Sequence, residues 1–178
     1  MMYRILGLLA VVLTVGGSAV SAEQVPEMVV QMGHGDVVRT AAVSQDGKYL
    51  ASGSMDGTAM LWEVSTGRLI RTFSGHKGGT LSVAFRGDDR HLITGGADGT
   101  VRIWALSTGK VSRYFVGGPT PITSLAEDAE GRRIAAGSED GQVRVWDLTS
   151  GDLAAEFAGH ENGVASLAFA SAEQLITG

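Results

Sequence analysis

Short runs of alternating apolar and polar residues recur along the chain at a spacing of 42 residues. The first run is Val38 to Val43, with copies at Thr80 to Phe85, Ile122 to Glu127 and Val164 to Phe169. Alternation with period two predicts strands whose successive side chains point to opposite faces. One face carries Thr40, Ser82, Ser124 and Ser166, then Ala42, Ala84, Ala126 and Ala168. The other carries Ala41, Val83, Leu125 and Leu167, then Val43, Phe85, Glu127 and Phe169. A small face opposite a bulky face predicts sheets sandwiched between neighbours, bulky side against small side. Glu127 interrupts the bulky series and is expected at a solvated sheet edge.

Three further strands follow each of these, separated by turn residues. The second strand is expected at Tyr49 to Ser54, His91 to Gly95, Arg133 to Ser138 and Gln174 to Thr177. The third is expected at Thr58 to Glu63, Thr100 to Ala105 and Gln142 to Leu148. The fourth is expected at Leu69 to Ser74, Lys110 to Phe115 and Leu153 to Phe157. Between second and third strands stand Asp56-Gly57, Asp98-Gly99 and Asp140-Gly141. An Asp-Gly pair between apolar strands predicts a two-residue hairpin with positive φ at both positions. Ser65-Thr66-Gly67, Ser107-Thr108-Gly109 and Thr149-Ser150-Gly151 supply the next turn. No stretch of residues 28–178 sustains helical periodicity. The expected fold is all-β, built of repeated four-stranded antiparallel sheets.

The tryptophans Trp62, Trp104 and Trp146 keep the same interval, and they are the only three in the chain. His34 and His76 each follow a glycine; Gly118 fills that slot in the third copy and His160 in the fourth. Self-similarity at about 20–50 residues signals stacked supersecondary units. The repeats divide as a last-strand piece at 28–34, then 35–76, 77–118, 119–160 and a partial 161–178.

Composition adds bounds. Of 178 residues, 44% are hydrophobic and 19% charged, which is a globular balance. The formal net charge is −5, and lysine and arginine are scattered, with Arg132-Arg133 the one adjacent pair, so no nucleic-acid partner is expected. The chain has no cysteine, which excludes disulfides, thiolate metal sites, thiol catalysis and covalent haem attachment. Residues 1–22 begin with Arg4, continue with an apolar run from Ile5 to Val15 and end in small residues, as a secretory signal peptide does. The apolar run is short for a spanning helix, which needs about 20 residues, so no stable membrane span is expected after cleavage. Residues 23–27 form a leader and 28–178 the repeat domain. On this basis a periplasmic or secreted location is expected.

The repeats resemble WD repeats of the β-propeller class. The resemblance rests on Gly-His at 33–34, 75–76 and 159–160, the turns SMDGT, GADGT and SEDGQ, and the strand ends LWEV, IWAL and VWDL. Only Trp146-Asp147 is the literal WD pair. The resemblance covers residues 28–178 and implies a propeller of about three and a half blades. It also implies a hydrogen-bonded chain in each blade, from the hairpin aspartate through a histidine and a hydroxyl to the tryptophan. His34, Ser52, Asp56 and Trp62 fit the first copy; His76, Thr94, Asp98 and Trp104 fit the second. The third keeps Asp140 and Trp146, but Gly118 and Ala136 replace the two central members. In the fourth, His160 and Thr177 remain. Met28 to Met32 is expected as the closing strand of a ring, and the chain is expected to be a fragment of a longer propeller.

No catalytic, cofactor or metal site is expected. The His–Asp–Ser grouping repeats with the blade, whereas a catalytic triad occurs once. Each Asp-Gly turn offers one or two carboxylates, and calcium needs about 6–8 oxygens. The glycine pairs at 78–79 and 117–118 precede no helix, so a phosphate cradle has no support. The expected function is a non-enzymatic scaffold for a protein or peptide partner. The alternative is the N-terminal propeller of a larger exported enzyme or electron-transfer protein. Candidate contacts flank the hairpins: Val37, Gly79 and Pro121 where first strands begin, and Met55, Ala97 and Glu139 before each hairpin aspartate.

Overall fold

A computed structural model of the chain describes residues 33–158, 160–171 and 174–178. Residues 1–32, with the expected signal peptide and the closing strand Met28 to Met32, lie outside the described residues. Among the described residues every regular element is a strand, and no helix is long and apolar enough to cross a membrane.

The first sheet contains β1 (Val38–Val43), β2 (Tyr49–Ser54), β3 (Thr58–Glu63) and β4 (Leu69–Ser74). The second contains β5 (Thr80–Phe85), β6 (His91–Gly96), β7 (Thr100–Ala105) and β8 (Val111–Val116). The third contains β9 (Ile122–Glu127), β10 (Arg133–Ser138), β11 (Gln142–Asp147) and β12 (Leu153–Ala158). A two-stranded sheet of β13 (Leu167–Ser171) and β14 (Gln174–Thr177) follows. Strands pair antiparallel in chain order, so each sheet is a meander of hairpins. This is the repeated all-β architecture expected, in about three and a half blades.

The sheets stack as the alternation predicts. Val83 and Phe85, on the bulky face of β5, pack against Ala51, Leu61 and Phe73 of the first sheet. Ile93, Val101 and Phe115 of the second sheet pack against Ile122, Ile134 and Trp146 of the third. Each junction ends outward in an aromatic pair. Phe73 meets Trp104 at 5.6 Å between ring centroids, and Phe115 meets Trp146 at 5.3 Å. Tilted aromatic pairs at such distances add about 0.5–1.5 kcal/mol beyond the area they bury.

The close approach of neighbouring sheets explains a repeated glycine. A Cβ on Gly53 would sit 2.9 Å from Thr80 Cγ2, one on Gly95 2.5 Å from Ile122 Cγ2, and one on Gly137 2.6 Å from Val164 Cβ. Each of these contacts belongs to the next repeat, so the glycine sets how near the inner strands can come.

Three expectations change. The strand expected at Val164 to Phe169 is β13 at Leu167–Ser171, and Val164 N instead donates to Ser138 O of the third sheet at 3.1 Å. The Asp-Gly connection is a three-residue loop, because β2 ends at Ser54 and β3 begins at Thr58. Only glycine has positive φ there, 85° at Gly57, 71° at Gly99 and 81° at Gly141, while the aspartates do not. Gly57 N donates to Ser54 O at 3.1 Å, closing a turn that ends in a left-handed glycine. Asp56 stays out of that region because its carboxylate accepts from Thr58 N at 2.8 Å, which fixes an Asx turn.

Glu127 is not at a solvated edge. Its side chain is 8% exposed and lies between the second and third sheets. The charge is held there by a cation from the neighbouring sheet.

Candidate functional site

Each sheet carries its hairpin loop at one end, and the residues entering the first strand meet that loop. Met55 N donates to Val37 O at 2.9 Å, Ala97 N to Gly79 O at 2.9 Å and Glu139 N to Pro121 O at 3.0 Å. The six candidate contact residues therefore form three backbone-bonded pairs, one per sheet. Together they make a rim along the arc. Val37 is 59% exposed and Met55 38%. Glu139 is exposed, Ala97 and Pro121 are half-buried, and Gly79 is buried. A Cβ on Gly79 would lie 3.1 Å from Met55 Sδ, so the methionine leans across from the first sheet to the second.

Beneath the rim run the polar chains. In the second sheet Trp104 Nε1 donates to Thr94 Oγ1 at 2.8 Å, and Thr94 Oγ1 lies 2.7 Å from His76 Nε2. His76 Nδ1 lies 3.0 Å from Asp98 Oδ1. The indole already donates to the threonine, so the hydroxyl proton goes to Nε2 and the imidazole proton sits on Nδ1, facing the carboxylate. Burial, partly offset by Asp98, pushes the His76 imidazolium pKa below its ordinary value, in keeping with a neutral ring. Burial would raise the Asp98 pKa, but donation from Thr100, His76 and Lys77 N outweighs it and pulls the carboxyl down to about 2.

The first sheet repeats the arrangement with serine. His34 Nε2 is 2.7 Å from Ser52 Oγ, and Trp62 Nε1 donates to the same oxygen at 2.9 Å. His34 Nδ1 is 3.1 Å from Asp56 Oδ2. Burial again works against ionisation of Asp56, and donors from Thr58, Gly35 N and His34 bring its pKa down to about 2.

The third sheet is built otherwise. Asp140 and Trp146 are not bridged, because Ala136 offers no hydroxyl and Gly118 no imidazole. Ser138 Oγ donates to Asp140 Oδ1 at 2.5 Å instead, and this bond is the main cause of a lowered Asp140 pKa. Arg144 spans the gap left at Gly118, donating to Gly117 O and pairing with Glu156 at 2.6 Å. In the fourth repeat His160 Nε2 lies 2.9 Å from Thr177 Oγ1.

Two interblade features were not legible in the residues singled out from the sequence. Arg86 Nε donates to Glu127 Oε1 at 2.6 Å, and Asp89 accepts Gln45 N at 3.0 Å and Asp46 N at 3.1 Å. Both partnerships cross between repeats at positions where the other copies carry different residues. The only available signal was that Arg86 and Glu127 each depart from their own series. Among the described residues no group of three or more histidine, cysteine, aspartate or glutamate side chains could hold a metal ion.

Comparison with known proteins adds the following. The family model for the WD domain, G-beta repeat, matches residues 26–63, 67–105 and 109–147. Mouse (Mus musculus) ribosome biogenesis protein BOP1 is 49% identical over 55 residues, 31% of this chain and 7% of that protein. The Drosophila melanogaster BOP1 homologue is 52% identical over 46 residues, 26% of this chain and 6% of that protein. The chain thus spans under a tenth of the length of these curated relatives. The crystal structure of the computationally designed Ika4 protein superposes with a TM-score of 0.74 at 31% identity, covering 86% of this chain and 91% of that one. The structure of U3-55K superposes with a TM-score of 0.76 at 24% identity, covering 82% and 46%, which bears on the fold alone. The curated relatives are named for ribosome biogenesis, work done inside cells, and that finding overturns the expected periplasmic or secreted location.

Proposed function

The chain belongs to the WD-repeat family, and from that premise we propose that it is a non-enzymatic scaffold whose hairpin rim takes a protein partner. One observation carries the proposal. Val37 and Met55, both apolar and both exposed, are held side by side by a backbone hydrogen bond. Exposed apolar residues are ordinary singly, whereas adjacent ones on a rigid support offer a contact patch. Ala97, Pro121 and Glu139 continue the rim across the next two sheets, and Gly79 lets Met55 lie flat.

The polar chains have a supporting role in this reading. His34, Ser52, Asp56 and Trp62, like His76, Thr94, Asp98 and Trp104, hold the hairpin to the body of its sheet. Asp140 and Trp146 keep the two ends of that system in the third sheet. Fixing the hairpins fixes the rim, and a preformed surface loses less entropy on binding. Nothing in the rim unites a nucleophile with a base, so no enzymatic activity is assigned.

A second reading follows from the names of the curated relatives. The partner would then be a component of an assembling ribosome.

The test is affinity capture with Val37→Asp and Met55→Asp, each checked for folding by circular dichroism. Partners retained by the unaltered chain should be lost from both variants. Undiminished capture by two folded variants would remove the rim from consideration.

A further inference from the structure

A cleft lies on the flank of the molecule, at the opposite end of the sheets from the rim. It opens between the first and second sheets with a volume of about 480 Å³, within the range of ligand-binding clefts. Its floor is apolar, made by Tyr49, Leu61 and Leu106. Ile70 joins them because of a bulge. Leu61 pairs with Arg71 and Trp62 with Leu69, so Ile70 has no partner on β3 and is 38% exposed.

Two cations border this floor, Arg71 and Arg90. Arg71 donates its Nη atoms to the carbonyls of Ser107 at 3.1 Å and Thr108 at 3.3 Å, and its Nε has no acceptor. No carboxylate within 4 Å balances its charge among the described residues. Arg90 is exposed, and its repeat equivalents explain why it is free. Lys48 pairs with Asp46, two residues earlier, at 2.9 Å, and Arg132 pairs with Glu130, two residues earlier, at 3.0 Å. Asp88 is the matching partner for Arg90, but His91 Nδ1 binds it at 2.7 Å and Arg86 Nη1 approaches it at 3.8 Å. Asp89 also borders the cleft, and its two oxygens accept the amides of Gln45 and Asp46. The cleft thus combines an apolar floor with two guanidinium groups that lack carboxylate partners, on a chain whose net charge is −5.

The next junction repeats the packing and differs in charge, since Leu106 and Leu148 each pack against the core of their own junction. Arg113, the equivalent of Arg71, donates to Leu148 O at 2.5 Å, and Leu148 packs against the core there. Arg132, the equivalent of Arg90, is neutralised by Glu130. The two junctions therefore differ at one cation: among the described residues Arg90 has no carboxylate within 4 Å, whereas Arg132 has Glu130.

We infer that this cleft docks an extended segment of another protein that carries a leucine or phenylalanine next to aspartate or glutamate. The apolar side chain rests between Tyr49, Ile70 and Leu106, and the carboxylate pairs with Arg90 at the mouth. A guanidinium–carboxylate pair at the edge of an apolar contact supplies direction, while the apolar side chain supplies most of the affinity.

The experiment uses the full chain and fluorescein-labelled eight-residue peptides, each with one leucine or phenylalanine flanked by two acidic residues. Matched peptides carry asparagine and glutamine instead. Anisotropy titrations should show binding of acidic peptides at least tenfold tighter than that of their amide counterparts. Arg90→Glu and Ile70→Asp should each weaken it at least tenfold, since both side chains are exposed and neither is part of the core. Val37→Asp, on the rim, should leave peptide affinity unchanged, so loss of the rim reading and loss of this one are separable. The inference is overturned if no acidic peptide binds, if amide peptides bind equally well, or if both cleft variants bind as the unaltered chain does. Tighter binding of a fluorescein-labelled single-stranded RNA to the same cleft would overturn it too.

Discussion

Glu127 receives Arg86 across the boundary between the second and third sheets, with Nε at 2.6 Å from Oε1 and Gly87 N at 2.7 Å from Oε2. The carboxylate is nearly buried and the guanidinium 21% exposed. Arg86 Nη2 also donates to Gly131 O at 2.9 Å, so the pair ties one sheet to a turn of the next. Glu127→Ala should destabilise the chain by about 2 kcal/mol, between the values for exposed and fully buried pairs. Urea unfolding of Glu127→Ala, Arg86→Leu and the double variant measures it. A coupling energy indistinguishable from zero would mean the two residues do not support each other.

Gly95→Ala should cost about 2 kcal/mol or more, as overpacking a filled interior does. The new Cβ would clash with Ser82 Oγ and meet Ile122 Cγ2 at 2.5 Å. Gly67→Ala is the useful contrast, because nothing lies within 4 Å of its Cβ position and its cost comes from a φ of 66° alone. If Gly95→Ala unfolds at the same urea concentration as the unaltered chain, the sheets are farther apart than described.

Thr94→Val removes the oxygen shared by Trp104 Nε1 and His76 Nε2 while keeping the volume. Leaving buried polar groups without partners costs about 1–3 kcal/mol. Ser52→Ala should act in the same direction in the first sheet. Thermal unfolding that is unchanged in Thr94→Val would show that the polar chain adds no stability.

Stability should fall with acidity in two stages. His76 has a folded pKa below its unfolded 6.5, so the unfolded chain takes up a proton first, and stability present above pH 6.5 is lost as pH falls below it. Asp56 and Asp98 have folded pKa values of about 2 against 3.8 unfolded, so their contribution is present above pH 3.8 and is lost between 3.8 and about 2. Urea midpoints measured from pH 8 to pH 3 should show both, and His76→Gln should abolish the upper stage. A midpoint that rises on acidification from pH 7 to 5 would contradict the neutral buried imidazole.

Much of the architecture is written in the residue period. The 42-residue spacing gave the strands, with ends off by one residue at β6, β8, β11 and β12 and with β13 beginning three residues later and ending two later than expected, and the alternation gave the faces that meet between sheets. Val83 and Phe85 turn toward the preceding sheet because period-two patterning fixes a side chain's face without reference to any distant residue. The loops were less legible. Asp-Gly suggested a two-residue hairpin, but Asp56 can bond its own Thr58 N, and that local bond keeps positive φ for Gly57 alone. The recurrence of Gly-His and tryptophan at a fixed interval marked these residues, and the resemblance to WD repeats implied that they join in one polar chain.

What the chain by itself determined, then, is everything that repeats: strand order, the facing of small against bulky surfaces, and the spacing of Gly-His, Asp-Gly and tryptophan. What tertiary structure alone decided is what differs between copies. Arg86 finds Glu127, Asp89 caps the amides of Gln45 and Asp46, and Arg90 goes without the partner that Lys48 and Arg132 have. The reason is physical. Alternation and turn chemistry act within a few residues of chain, whereas these contacts depend on how far and at what angle one sheet sits from the next, which no local pattern encodes.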